Sequence, residues 1–186
     1  NVTDRKDEAE QLMRQALAID EANLGPAHPD VAIRLNNLAT LLLEKNCFAT
    51  AEPLMRRALA INEISYGAEH PYVATTLNNL AEFLRATNRL TNAELLMRRA
   101  LAIYEKGYGP KHPLVAIGLN NLAMLLHETN RSFRAEPLLR RARAIFIQSL
   151  DAKHPNVQRA SANYLLVLQS LGKSPAEIQA LMASPD

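Results

Sequence analysis

Cysteine is almost missing: Cys47 stands alone among 186 residues, so no internal disulfide can staple the fold. Tryptophan is absent and aromatic residues make up 5%, which leaves few platforms on which bases could stack. The six glycines form no phosphate-cradling loop, and no nucleophile motif or off-pattern carboxylate pair is found. An enzyme is therefore not expected, and neither is a cofactor. Charge of one sign is lacking too. With 21 basic and 19 acidic residues the net is +2, too small to imply nucleic acid or an anionic membrane. No run nears the roughly 18 uninterrupted apolar residues of a membrane span, and no basic-then-apolar segment follows Asn1. The expected location is cytoplasmic. What remains, 48% apolar and 22% charged, is the make-up of a folded domain.

The dominant positive feature is repetition. His-Pro occurs at His28, His70, His112 and His154, a step of 42 each time. Asn-Asn-Leu-Ala begins at Asn36, Asn78 and Asn120, and a decayed copy, Ala162-Asn163-Tyr164-Leu165, keeps the step. Ala-Glu opens a third register at Ala9, Ala51, Ala93 and Ala135. Three motifs sharing one period define an array of like units.

Each unit reads as two helices. The first starts at Pro29, where a missing N–H costs nothing, and runs to about Lys45. Val31, Leu35, Leu38, Ala39 and Leu42 mark its buried face. The second spans about Thr50 to Tyr66, with Ala51, Leu54, Met55, Ala58, Leu59 and Ile61 inward. Gly25, Gly67 and Gly109 close second helices, with Asp151 in that place in the last copy. Asn46, Asn88, Asn130 and Gly172 turn the chain inside each pair. Alanines at 39, 81 and 123, and at 51, 58, 93, 100, 135 and 142, mark close helix crossings. The boundaries that follow are 6–24 for a second helix lacking its partner, full repeats at 29–66, 71–108 and 113–150, and a last repeat at 155–183. The lone helix predicts that the array continues upstream in a longer parent. Ser174-Pro175-Ala176-Glu177 is a capping box opening a short final helix to about Ala183, with Ser184-Pro185-Asp186 as its stop.

The helix pair with LNNLA on its first member and AE-x-LMRRALAI on its second resembles the tetratricopeptide repeat, in its 42-residue kinesin-light-chain-like type. The resemblance covers residues 6–171. It implies an all-α fold, a right-handed solenoid of antiparallel helix pairs, with first helices lining a concave groove and second helices forming the outer wall. It also implies action through protein or peptide binding.

In related repeats the asparagine before the Leu-Ala pair faces the groove and holds ligand backbone. That role falls on Asn37, Asn79, Asn121 and Asn163, with Asn36, Asn78 and Asn120 beside three of them. Their amides donate and accept, as an extended peptide requires; the alternative is that they bridge neighbouring repeats. Specificity should come from varying positions on the same face: Ile33, Thr75, Ile117 and Arg159 one turn earlier, and Glu82, Met124, Arg85 and His127 later. Glu82 and Arg85 are close enough to pair with each other instead. A carboxylate-clamping groove of this family would carry Lys at positions 33 and 117 and Arg at 121; this chain has Ile33, Ile117 and Asn121, which disfavours chaperone-tail ligands. The four histidines lie too far apart for one metal ion, since successive helices sit roughly 8–10 Å apart. They are expected to satisfy backbone at helix starts. Arg56-Arg57, Arg98-Arg99 and Arg140-Arg141 form rows on the outer wall, each with a glutamate four residues before its first member. Nucleic-acid binding there is the alternative function. A spacer or oligomerising role, with self-association through the N-terminal edge, is a third. Tyr66, Tyr104 and Tyr108 are expected to pack between repeats, and Cys47 to be an incidental surface residue.

Overall fold

The computed structural model describes backbone from residue 2 to 183 and side chains from residue 5 to 183. The expected stop at Ser184-Pro185-Asp186 lies outside the described residues. Helix boundaries follow the sequence punctuation closely. The nine helices among the described residues are α1 (Val2–Leu24), α2 (Pro29–Glu44), α3 (Phe48–Tyr66), α4 (Pro71–Ala86), α5 (Leu90–Tyr108), α6 (Pro113–Glu128), α7 (Ser132–Ser149), α8 (Pro155–Ser170) and α9 (Pro175–Ala183). Helix α1 starts one turn earlier than periodicity indicates. Among the described residues, no helix is long and apolar enough to cross a membrane.

Each first helix starts in the same way. His28, His70, His112 and His154 hold extended backbone before the proline, and their side chains accept from the N–H two residues on. The Nδ1 distances are 3.1–3.2 Å. An Nδ1 that accepts leaves the ring proton on Nε2. The histidines are thus N-caps, standing in for the usual Ser or Asp. The tyrosines before them join in. Tyr66 stacks on His70 at 4.8 Å and Tyr108 on His112 at 4.4 Å, tying a second helix to the start of the next first helix. The interior turns place Asn46, Asn88 and Asn130 near φ +60°, the left-handed conformation expected there. The final capping box forms as read: Ser174 N donates to Glu177 Oε2 (2.9 Å) and Glu177 N to Ser174 Oγ (3.4 Å).

The chain divides into two compact units, Asn1–Leu96 and Met97–Asp186, with the division inside α5. In the first unit α2 packs on both α1 and α3, and α4 packs on α3 and α2. In the second, α7 lies between α6 and α8, α8 also touches α6, and α9 packs on α8. Both cores are built from the apolar stripes. Val31, Leu35, Leu38 and Leu42 are sealed in the first unit, and Val115, Leu119, Leu139 and Phe146 in the second. All nine alanines assigned to close crossings are fully buried. A single hairpin could not cover these faces, so neighbours supply the burial.

Salt links reinforce the seams. In three of the Ala-Glu motifs the glutamate receives a partner from the first helix, or its C-terminal turn, that follows. Lys45 reaches Glu10 and Asp7, Arg89 grips Glu52 through two bonds of 2.9 and 2.8 Å, and the Tyr164 hydroxyl donates to Glu136 at 3.0 Å. These partners hold the Glu10 and Glu52 carboxyls below their usual range, Lys45 acting first on one and Arg89 on the other. Burial, and then the bond to Glu136, pushes the Tyr164 phenol up to about 12.

Candidate functional site

The asparagine ladder is not uniform. In the second unit its members engage one another. Asn120 is buried, its Oδ1 accepts from Asn163 Nδ2 at 2.9 Å across the α6–α8 seam, and its own Nδ2 reaches Asn121 Oδ1 at 3.4 Å. Here the amides do bridge repeats. In the first unit Asn78 is buried as well. Asn36, the counterpart of Asn120, instead sends Nδ2 to Thr76 Oγ1 at 3.4 Å, and its Oδ1 is shielded from solvent with no donor. Among the described residues, no hydrogen-bond partner meets the amides of Asn37 or Asn79.

These uncommitted groups surround a cavity of about 310 Å³. Its floor carries Asn36, Asn62 and Thr76; Asn37, Asn79 and Thr75 contribute polar rim; Ile33, Tyr66 and Tyr72 give it apolar walls, and Pro29 with Asp30 lie at its edge. Asn62 Nδ2 donates to Thr76 Oγ1 at 2.8 Å, and Thr76 Oγ1 donates onward to the Tyr72 carbonyl at 3.1 Å. The Tyr66 and Tyr72 rings meet edge to face at 5.1 Å. Ile33 and Tyr72 are 56% and 54% exposed, so both offer apolar surface at the mouth of the cavity. Five sequence-nominated positions, Ile33, Asn36, Asn37, Thr75 and Asn79, therefore converge on one hollow. Asn62, Tyr66, Tyr72 and Thr76 were not nominated for it. Copy-to-copy change at positions 62 and 76 was the available signal.

The remaining nominees lie elsewhere. Glu82 and Arg85 pair with each other at 3.1 Å, the outcome their spacing allowed. Thr75 also bonds its own helix at Pro71 O, 3.3 Å. In the second unit Ile117 and Met124 are half-buried, His127 Nδ1 meets Ser132 Oγ at 2.9 Å, and exposed Arg159 donates to Asn156 Oδ1 at 3.0 Å. Cys47 is exposed. Among the described residues, no three metal-ligating side chains gather.

The arginine rows behave differently from a basic stripe. Arg56 pairs with Glu52 at 2.7 Å as expected, whereas Arg140 is only loosely near Glu136, at 4.0 Å. The second arginine of the row reaches back to the preceding repeat. Arg57 pairs with Glu21 and donates to Pro26 O (2.7 Å); Arg141 pairs with Glu105 (2.7 Å) and donates to Pro110 O (3.0 Å). These clasps are not visible in the sequence because their partners lie 31 and 36 residues away, in the preceding turn and second helix.

Comparison with known proteins agrees with this architecture. The tetratricopeptide repeat family pattern matches residues 3–64, 35–106 and 72–148. The chain belongs to the tetratricopeptide repeat family, in its kinesin-light-chain-like type. Its fold class is the all-α solenoid. Among solved structures it is similar to the nearly identical repeats of a kinesin-light-chain-type protein of Podosopora anserina, with 24% identity, TM-score 0.77, and 97% of this chain and 84% of that one covered. It is also similar to BtubC (BKLC) from P. vanneervenii, with 25% identity, TM-score 0.80, and coverage of 95% and 70%. No curated protein matches the sequence. Repeats of this class are protein–protein interaction scaffolds, typically without catalysis.

Proposed function

We propose that the chain binds an extended segment of a partner protein along its first helices, with the hollow between α2 and α4 as the principal contact. The observation that carries this reading is the gathering of uncommitted amides, Asn37 and Asn79, beside exposed Ile33 and Tyr72 around one cavity. Equivalent residues on packed helices lie roughly 8–10 Å apart, about three residues of extended chain, so both amides can hold the same strand's backbone. Side-chain selectivity then falls to the pocket between them. In the second unit Asn120, Asn121 and Asn163 already bond one another, so a ligand there has to displace those bonds or use Ile117, Met124, His127 and Arg159 at the margin. Nucleic acid on the outer wall finds less support, because Arg57 and Arg141 are committed to neighbouring repeats. A cytoplasmic setting and the absence of a cofactor belong to the same proposal.

Random peptides displayed on phage and selected on the intact chain supply the test. Selected peptides should lose about tenfold or more in affinity for Asn37→Ala/Asn79→Ala, roughly the loss of two backbone hydrogen bonds. The circular dichroism spectrum should be unchanged. Equal affinity for the variant removes the clamp.

A further inference from the structure

We infer that the pocket between α2 and α4 takes a basic side chain, a lysine or arginine of the bound segment; this rests on the groove reading above and adds to it the chemistry of the anchor. Charge comes first. Asp30 is the one charged residue among those lining the cavity; His28 Nδ1 lies 3.7 Å from its carboxylate, and Arg34, one turn along α2, is held by Asp20 at 2.7 Å. No cation in the lining would pair with an acidic ligand. Tyr66 and Tyr72 present partly exposed rings to the same space, and a cation over such faces is attracted by their quadrupoles.

The hydrogen-bond inventory points the same way. The Thr76 hydroxyl spends its proton on the Tyr72 carbonyl and accepts from Asn62, so only its remaining acceptor capacity is open to Asn36. That fixes the Asn36 amide with Nδ2 toward Thr76 and leaves Oδ1 without a donor. A buried acceptor left unmet is costly. A small rotation of the Asn36 amide surrenders only the long 3.4 Å bond and offers Oδ1 to an incoming N–H. Lysine and arginine bring donors with no acceptor, on an apolar stem suited to Ile33. An aliphatic anchor would leave Oδ1 unmet.

The test uses pentapeptides Ac-Ala-Ala-Xaa-Ala-Ala-NH2 with Xaa lysine, norleucine or glutamate. They are titrated into the ¹⁵N-labelled chain and followed at the Ile33, Asn37, Tyr72 and Asn79 amides. The lysine peptide should bind about fivefold tighter than norleucine at low salt, and Asp30→Asn or about 0.5 M salt should shrink that preference below about twofold. Norleucine or glutamate binding as tightly as lysine overturns the inference. So does a lysine preference that Asp30→Asn leaves intact, or silence of all three peptides at Tyr72. If norleucine moves Asn37 and Asn79 as strongly as lysine does, the groove reading stands and the basic anchor falls. If none moves them, the anchor falls and the phage-selected peptides decide the groove.

Discussion

The two units solve one packing problem with opposite chemistry. Where a second helix crosses the next first helix, residues 14 apart face each other. In the first unit these are Asp20 with Arg34, an ion pair of 2.7 Å, and Asn62 with Thr76, a hydrogen bond of 2.8 Å. In the second unit the Tyr104 ring lies against Gly118, and Phe146 shares its register with Ala160, all of them buried. A Cβ on Gly118 would sit 3.4 Å from Leu101 Cδ1 and 3.7 Å from Tyr104 Cδ2, ordinary contact distances, so the ring fills the space opposite the glycine and would tolerate an alanine there. The comparison teaches that the repeat fixes where helices cross but not what fills the crossing. At the Asn62–Thr76 crossing short polar side chains border a hollow with an unmet amide; at the Phe146–Ala160 crossing a buried ring fills the register. Binding capacity and seam strength thus trade against each other at a single register.

The largest effect should separate the seams by truncation. Phe146→Ala should cost about 3–5 kcal/mol, as large core deletions do. Asn62→Ala should cost about 1 kcal/mol, the net worth of an ordinary hydrogen bond. Urea unfolding, with hydrogen exchange assigning the loss to each unit, measures both. Equal costs would break the comparison. A sharper version transplants one seam into the other. Thr76→Val strands the amides of Asn62 and Asn36 and should cost about 1–3 kcal/mol. Asn62→Phe with Thr76→Ala, which copies Phe146 and Ala160, should cost less than Thr76→Val, because the Asn62 donor leaves with its acceptor and only the long 3.4 Å bond from Asn36 is lost. The same double variant should lose peptide binding in the hollow, read by the titration at Tyr72.

Much of this was legible beforehand. Period, helix limits, histidine caps, left-handed asparagines and the final capping box all followed from local chemistry, because each depends on residues within a turn of one another. The candidate site was legible by half. Ile33, Asn36, Asn37, Thr75 and Asn79 carry the repeat's register and were found through it. The hollow they surround was not found, since it exists only because Asn62 and Thr76 are small at a crossing set by tertiary packing. For the same reason the ladder could not be divided in advance into bridging amides and uncommitted ones: Asn120 and Asn36 look alike in sequence, and differ because Thr76 draws Asn36 aside where Ala160, in the place of Thr76, offers Asn120 no hydroxyl. The cross-repeat clasps were hidden by distance, although Arg57 and Arg141 stand at equivalent places.

Those clasps supply a smaller effect. Arg57→Ala loses both Glu21 and the Pro26 carbonyl, whereas Arg56→Ala loses only Glu52 on its own helix, which Arg89 continues to hold. The first should cost about 1 kcal/mol and the second under about 0.5 kcal/mol, with the Arg57 cost shrinking as salt rises. Thermal unfolding at two ionic strengths measures this. Matching costs would mean that the seams owe nothing to the outer wall.

The smallest effect lies at α9, which packs on α8 through half-buried side chains only and opens on a charged capping box. No residue of α9 is buried, and it is held to the body in part by Arg143 donating to the Met182 carbonyl. The Ser174 backbone N–H, then Lys173 and the Ser174 hydroxyl, pull the Glu177 carboxyl down from its ordinary 4.5 to about 2. A carboxyl depressed in the folded state stabilises its helix fully above the unfolded pKa and loses that contribution as pH falls through the folded one. The start of α9 should therefore loosen between about pH 4.5 and 2, seen as Ile178 and Gln179 amide shifts moving toward coil values while Phe146 holds. In Glu177→Gln the titrating charge is gone and those shifts should be flat over the same window, from an already looser start. If Phe146 moves together with Ile178, α9 is part of the ring-packed seam, and the division between charge-held edge and packed interior does not apply to the second unit.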